Sequence, residues 1–73
     1  MDVEKYVRAI EKSLTQMVLR EMSSVDVSEI WIDTSIPVDL IVEILKTQQL
    51  KIPQELQAIT NAGKVIWARK TYR

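Results

Sequence analysis

The chain has no histidine, no cysteine and a single glycine in its 73 residues. Each absence closes a branch of chemistry. Without His or Cys there is no zinc finger, no imidazole-based metal site, no cysteine nucleophile and no Ser-His-Asp triad. One glycine cannot write a phosphate-cradling loop or a dinucleotide fingerprint. A general base would have to come from Asp, Glu, Lys or Tyr, inside a pocket that so small a core can hardly enclose. No enzyme, no cofactor and no small-molecule substrate are expected. No disulfide can staple the fold. A core of this size supplies only about 3–5 kcal/mol, so small unstapled domains often oligomerise. A homodimer is the corresponding expectation.

Apolar residues make up 47 % and charged residues 27 %, the balance of one folded domain covering 1–73 rather than of a disordered tail. Asp39, Glu43 and Lys46 interrupt the apolar stretches well short of the roughly 18 residues a membrane span needs. The start, Met1-Asp2-Val3-Glu4-Lys5, lacks the apolar core of a signal peptide. A cytoplasmic chain with no membrane contact is expected. The acidic group Asp26, Glu29 and Asp33 lacks the spacing of a cation-binding loop, and no metal site is expected from it.

The first element is the most regular. Val3, Val7, Ile10, Leu14 and Met17 follow at steps of four, three, four and three, which predicts an amphipathic helix over about 2–22. Within an N-terminal segment of 1–24, this stripe is the candidate dimer or partner interface, and otherwise the face that closes the core. Glu29-Ile30-Trp31-Ile32-Asp33 then alternates and is rich in β-formers, which predicts a short strand. Ser35-Ile36-Pro37 reads as a helix start with Ser35 as cap, leading into a largely apolar helix over 38–48. Pro53 suits the first turn of a third helix over about 53–62, with Leu56, Ile59 and Ala62 inward and Gly63 as its left-handed cap. Residues 64–71 read as a strand pairing with 29–33; the alternative continues the helix through Gly63. The expected fold is mainly α with a small two-stranded sheet, in the order α-β-α-α-β.

Net charge is zero, yet unevenly spread. Residues 25–50 hold Asp26, Glu29, Asp33, Asp39 and Glu43 against Lys46. Residues 51–73 hold Lys51, Lys64, Arg69, Lys70 and Arg73 against Glu55. A cationic last third points to a polyanion, unless the two segments simply attract each other. On the expected third helix, Gln54, Gln57, Asn61 and Lys64 are spaced three, four and three, one polar stripe opposite Leu56 and Ile59. Amides that donate and accept together can read adenine in the major groove. Trp31 and Trp67, each in an expected strand, are read as core packing rather than base-stacking platforms.

Leu40 to Leu45, the turn at 48–53, Leu56, Ile59 and Gly63-Lys64-Val65-Ile66 together resemble the small winged-helix members of the helix-turn-helix DNA-binding family. The resemblance covers roughly 29–69, within a helix-turn-helix-like core of 29–71. It implies a regulator of transcription that binds duplex DNA. Gln54, Gln57 and Asn61 would face bases, and Lys64, Arg69, Lys70 and Arg73 would face phosphates. Two departures stand: Gln49-Leu50 replaces the family's turn glycine, and too few residues follow Gly63 for a full wing. Ile30 to Asp33 followed by Ser35-Ile36-Pro37-Val38 also resembles a ribbon-helix-helix repressor, but Glu29, Trp31 and Asp33 would then face DNA. The alternative function is a protein-interaction or assembly module, inhibiting or scaffolding a larger complex through the first helix.

Overall fold

In a computed structural model, which describes residues 2–69, the chain forms three helices and one three-stranded mixed sheet. The order is α1 (Val3–Leu19), β1 (Ser24–Asp26), α2 (Val27–Thr34), α3 (Val38–Thr47), β2 (Ala58–Asn61) and β3 (Lys64–Ala68).

The stripe of the first helix turns inward as its spacing requires. Asp2 caps α1 by accepting from the Lys5 N–H at 3.2 Å, and Ile10, Leu14 and Met17 are buried. The helix ends where Glu21 takes a left-handed backbone, φ 64°. In α3 the buried residues are Ile41 and Ile44, with Val38, Leu40, Val42 and Leu45 half-covered around them. The wide apolar face of α3 is thus covered, and its narrow polar stripe stays outward.

Residues 29–33 are helix, not strand. Asp26 accepts from the Ser28 N–H, and the Glu29 carboxylate accepts from the Asp26 N–H at 2.9 Å. This reciprocal capping box satisfies donors that the start of a helix leaves open and so favours a helix there. Val27 and Ile30, three apart, then bury together. Helical periodicity and the cap override the β-propensity of Ile-Trp-Ile. The preceding 24–26 stretch, loop-like in composition, supplies the strand instead. Ser35 does not cap α3: it closes α2 in a left-handed conformation, φ 64°, donating to the Trp31 carbonyl at 2.7 Å. Pro37 stands at the N-cap of α3 without a side-chain cap.

The expected third helix over 53–62 is absent. Pro53 opens a single turn, closed by the Leu56 N–H on its carbonyl at 3.1 Å, and the chain then runs extended. Leu56 and Ile59 do face inward, as expected, but from a turn and a strand. β1 runs parallel to β2 in the register Val25↔Ile59 and Asp26↔Thr60. β2 pairs antiparallel with β3, Ile59↔Trp67 and Asn61↔Lys64, with a bulge between Ile59 and Thr60. Gly63 is therefore not a helix cap. With Ala62 it makes a two-residue hairpin turn, φ 54° and 86°, the mirror-image turn that matches strand twist. The strand expected over 64–71 is β3 as far as Ala68, and its partner is 58–61, not 29–33; residues 70 and 71 lie outside the described residues.

The core is one cluster, to which α1 gives Ile10, Leu14 and Met17, α2 gives Val27 and Ile30, α3 gives Ile41 and Ile44, and the sheet gives Val25 and Ile59. No helix among the described residues is long and apolar enough to cross a membrane.

Candidate interaction surface

The Val3–Met17 stripe is spent on the chain's own core. Ile10 and Leu14 have no exposed surface and cannot meet a partner, and Met17 shows only its edge, at the wall of a cleft. Val7 is half-buried, and Val3 is 37 % exposed.

The three amides do not share a helix face. Gln54 is exposed in the turn after Pro53. Gln57 is exposed just before β2; its N–H donates to the Ser23 carbonyl at 2.7 Å and its side-chain amide to the Gln54 carbonyl at 3.4 Å. Asn61 is half-buried at the end of β2, opposite Lys64. A stripe three, four and three apart exists only on a helix, and this segment is not one.

The expected phosphate contacts also divide. Lys64 is exposed beside the hairpin turn. Arg69 folds back on its own chain. Its Nε donates to the Leu56 carbonyl at 3.1 Å and one Nη to the Pro53 and Ile52 carbonyls at 2.8 and 3.4 Å. The guanidinium lies 5.3 Å from the centre of the Trp67 ring, within cation–π range. A planar fork is the one side chain able to collect these carbonyls together. Lys70 and Arg73 lie outside the described residues.

Asp26 is the most heavily used polar side chain. Thr60 Oγ donates to it at 2.6 Å, Ser28 donates through N–H and hydroxyl, and the Gly63 N–H reaches it at 3.4 Å. The Thr60 hydroxyl, then the Ser28 N–H, hold the carboxyl down at about 2, against a weaker opposing effect of burial. Its oxygens, and Oε2 of the Glu29 carboxylate, are thus occupied by the fold. Among the described residues no group of three acidic side chains is placed to hold a metal ion.

What remains outward includes apolar surface on α2 and at the end of α1. Trp31 is 48 % and Ile32 73 % exposed, on a short helix whose Val27 and Ile30 are buried; Leu19, at the end of α1, is 78 % exposed. A strand over 29–33 would put Ile32 on the same face as Ile30, whereas the helix turns it to the opposite side, so Ile30 is buried and Ile32 exposed. Two clefts lie along the α1–α2 seam and meet at Asp33. One, of about 270 Å³, is lined by Ala9, Lys12, Ser13, Gln16 and Thr34. The other, of about 340 Å³, is lined by Met17, Arg20, Met22, Glu29 and Ile32. A third, of about 490 Å³, lies between the end of α3 and β3, bordered by Leu45, Leu50, Ile52 and Trp67. On α3, the exposed face carries Asp39, Glu43 and Lys46.

No family model, no curated protein and no solved structure matches this chain.

Proposed function

We propose that the chain is a non-catalytic protein-interaction module whose contact surface is the α1–α2 seam. Ile32 carries the reading: it is 73 % exposed above a cleft walled by Met17 and Met22. Lone surface apolar residues are ordinary, but Ile32 follows a half-exposed Trp31 and borders a cavity floored by thioethers, which adapt to varied partners.

A winged-helix-like architecture would have to use α2 and α3, not the expected 38–48 and 53–62, as its helix-turn-helix pair, with the β2–β3 hairpin as a wing. In that arrangement α3 is the helix that would enter a DNA groove. Its outward Asp39 and Glu43, against the single Lys46, would meet phosphates there, which favours a protein partner over a duplex.

A photo-crosslinking amino acid at Trp31, introduced in cells that make the chain, tests this. Discrete protein adducts are expected, and they vanish when Ile32→Lys is added without loss of melting temperature. Adducts to nucleic acid, or none, overturn the reading.

One observation favours a second reading, a transcriptional regulator that binds duplex DNA. The hairpin exists, and Lys64 is exposed at its turn. Binding would then weaken with salt by a log-log slope of about −0.9 per phosphate contacted, and Lys64→Gln would reduce that slope by about one contact. Flat, weak duplex binding across the titration removes this reading.

A further inference from the structure

The seam carries opposite charge on its two sides. On α1, Lys12, Gln16 and Arg20 follow at steps of four, so they line one rim along the helix. Across the clefts, Glu29 and Asp33 stand four apart on α2 and form the other rim. Lys12, Arg20 and Asp33 are exposed, and Asp33 borders both clefts. Between the rims the lining is small or flexible, from Ala9 and Ser13 to Met17, with Ile32 above it. From Ala9 to Arg20 the groove follows α1 for about 17 Å, the length of a helix of about 12 residues.

We infer that this groove takes an amphipathic helix from a partner protein, one whose apolar stripe is flanked by acidic residues on one side and basic residues on the other. The inference rests on the interaction-module reading and names the chemistry of its partner. Size favours a helix, since an apolar stripe laid into a groove needs a trough of a few turns with a yielding floor. Charge selects its flanks. Acidic side chains meet Lys12 and Arg20 while basic ones meet Glu29 and Asp33, and a helix with one sign on both flanks faces repulsion along one rim. Reversing the helix exchanges its flanks, so the groove selects for two signs, while the order of the flanks sets the direction of docking.

Three designed peptides of about 12 residues, long enough for the groove, share one Leu/Ile stripe and differ in their flanks: acidic and basic, both acidic, both basic. Fluorescence anisotropy against the intact chain is expected to show the two-signed helix binding at least about tenfold tighter than either other. In Lys12→Glu/Arg20→Glu both rims become acidic, and preference passes to the helix with two basic flanks. Both substitutions lie on exposed positions, and circular dichroism checks that the fold is kept. Equal affinity for the three helices, or no binding of any, overturns the inference. So does sedimentation showing that the chain dimerises and that Ile32→Lys makes it monomeric, because a second copy would then fill the groove. Adducts formed at Trp31 despite either result would leave the module reading standing and retire only the helical partner.

Discussion

The Thr60 hydroxyl donates a 2.6 Å hydrogen bond to Asp26 Oδ1, tying β2 to β1 across 34 residues of sequence. The same carboxylate caps α2 through Ser28 and reaches the hairpin turn at the Gly63 N–H. One side chain therefore joins the start of a helix, a parallel strand pair and a hairpin. Asp26→Ala is expected to cost about 2–3 kcal/mol, the sum of a lost cap and a lost charge-assisted hydrogen bond. Thr60→Val, which removes one bond, should cost about 1 kcal/mol. Urea midpoints at constant slope measure both. The two losses should be less than additive in the double variant, and strict additivity would show that the pair is uncoupled.

Acid should act on the same residue. Its carboxyl is held at about 2, below the ordinary 3.8, by the Thr60 hydroxyl and then the Ser28 N–H. The unfolded chain takes up this proton before the native one does. Asp26 therefore stabilises the fold fully above its unfolded value, and that contribution is lost as pH falls from there towards about 2. Asp26→Asn should start less stable at neutral pH and lose less over that interval. Parallel curves for the two proteins would show that the carboxylate is not the group responsible.

Ala62 is the weak point of the hairpin. It holds a left-handed backbone, φ 54°, beside Gly63 at φ 86°. A two-residue turn with both φ positive prefers Asn-Gly, because Asn tolerates the left-handed region better than Ala. Ala62→Asn should stabilise by about 0.5–1 kcal/mol, read as a rise in melting temperature. Gly63→Ala should lower it although the space around that position is open, since the backbone angle alone disfavours a Cβ.

Inside α1, Ser13 is buried and its hydroxyl has no hydrogen-bond partner. Ser13→Ala should be neutral or stabilising by up to about 1 kcal/mol, because it removes a desolvated donor and leaves no large cavity. A clear loss of stability in thermal melts would mean that the hydroxyl is satisfied in solution.

The two long helices and the apolar strand after Gly63 were legible because their periodicity is local. Leu14 lies four residues after Ile10 and inward, as its spacing says. In α2 the β-propensity of Ile-Trp-Ile conceals the helix, although the decisive signal lies in the sequence: Asp26 and Glu29 are three apart, the spacing of a capping box. Leu56 and Ile59, also three apart, suggested a helix where a turn and a strand bury both. Nothing local could reveal that Thr60 answers Asp26, so the parallel pair and the third strand were out of reach. The candidate surface suffered most, because a helix face and a strand face sort the same residues differently. Ile32 became visible only once α2 was a helix.

Arg69 shows the same limit for charge. Counted along the chain it is a free cation in a basic tail, yet its guanidinium fastens the carbonyls of Ile52, Pro53 and Leu56 and lies against Trp67. Arg69→Lys separates the two roles. The lysine keeps the charge that a phosphate contact needs, but one ammonium cannot reproduce a fork spread over carbonyls and a ring. The substitution should destabilise the chain by about 1–2 kcal/mol and, in a Trp31→Phe background, shift Trp67 emission towards that of a solvated indole. Unchanged stability and emission in Arg69→Lys, with duplex binding kept there and weakened in Arg69→Gln, would return Arg69 to the phosphate role. The 2.8 Å hydrogen bond from the guanidinium to the Pro53 carbonyl makes the structural outcome the expected one.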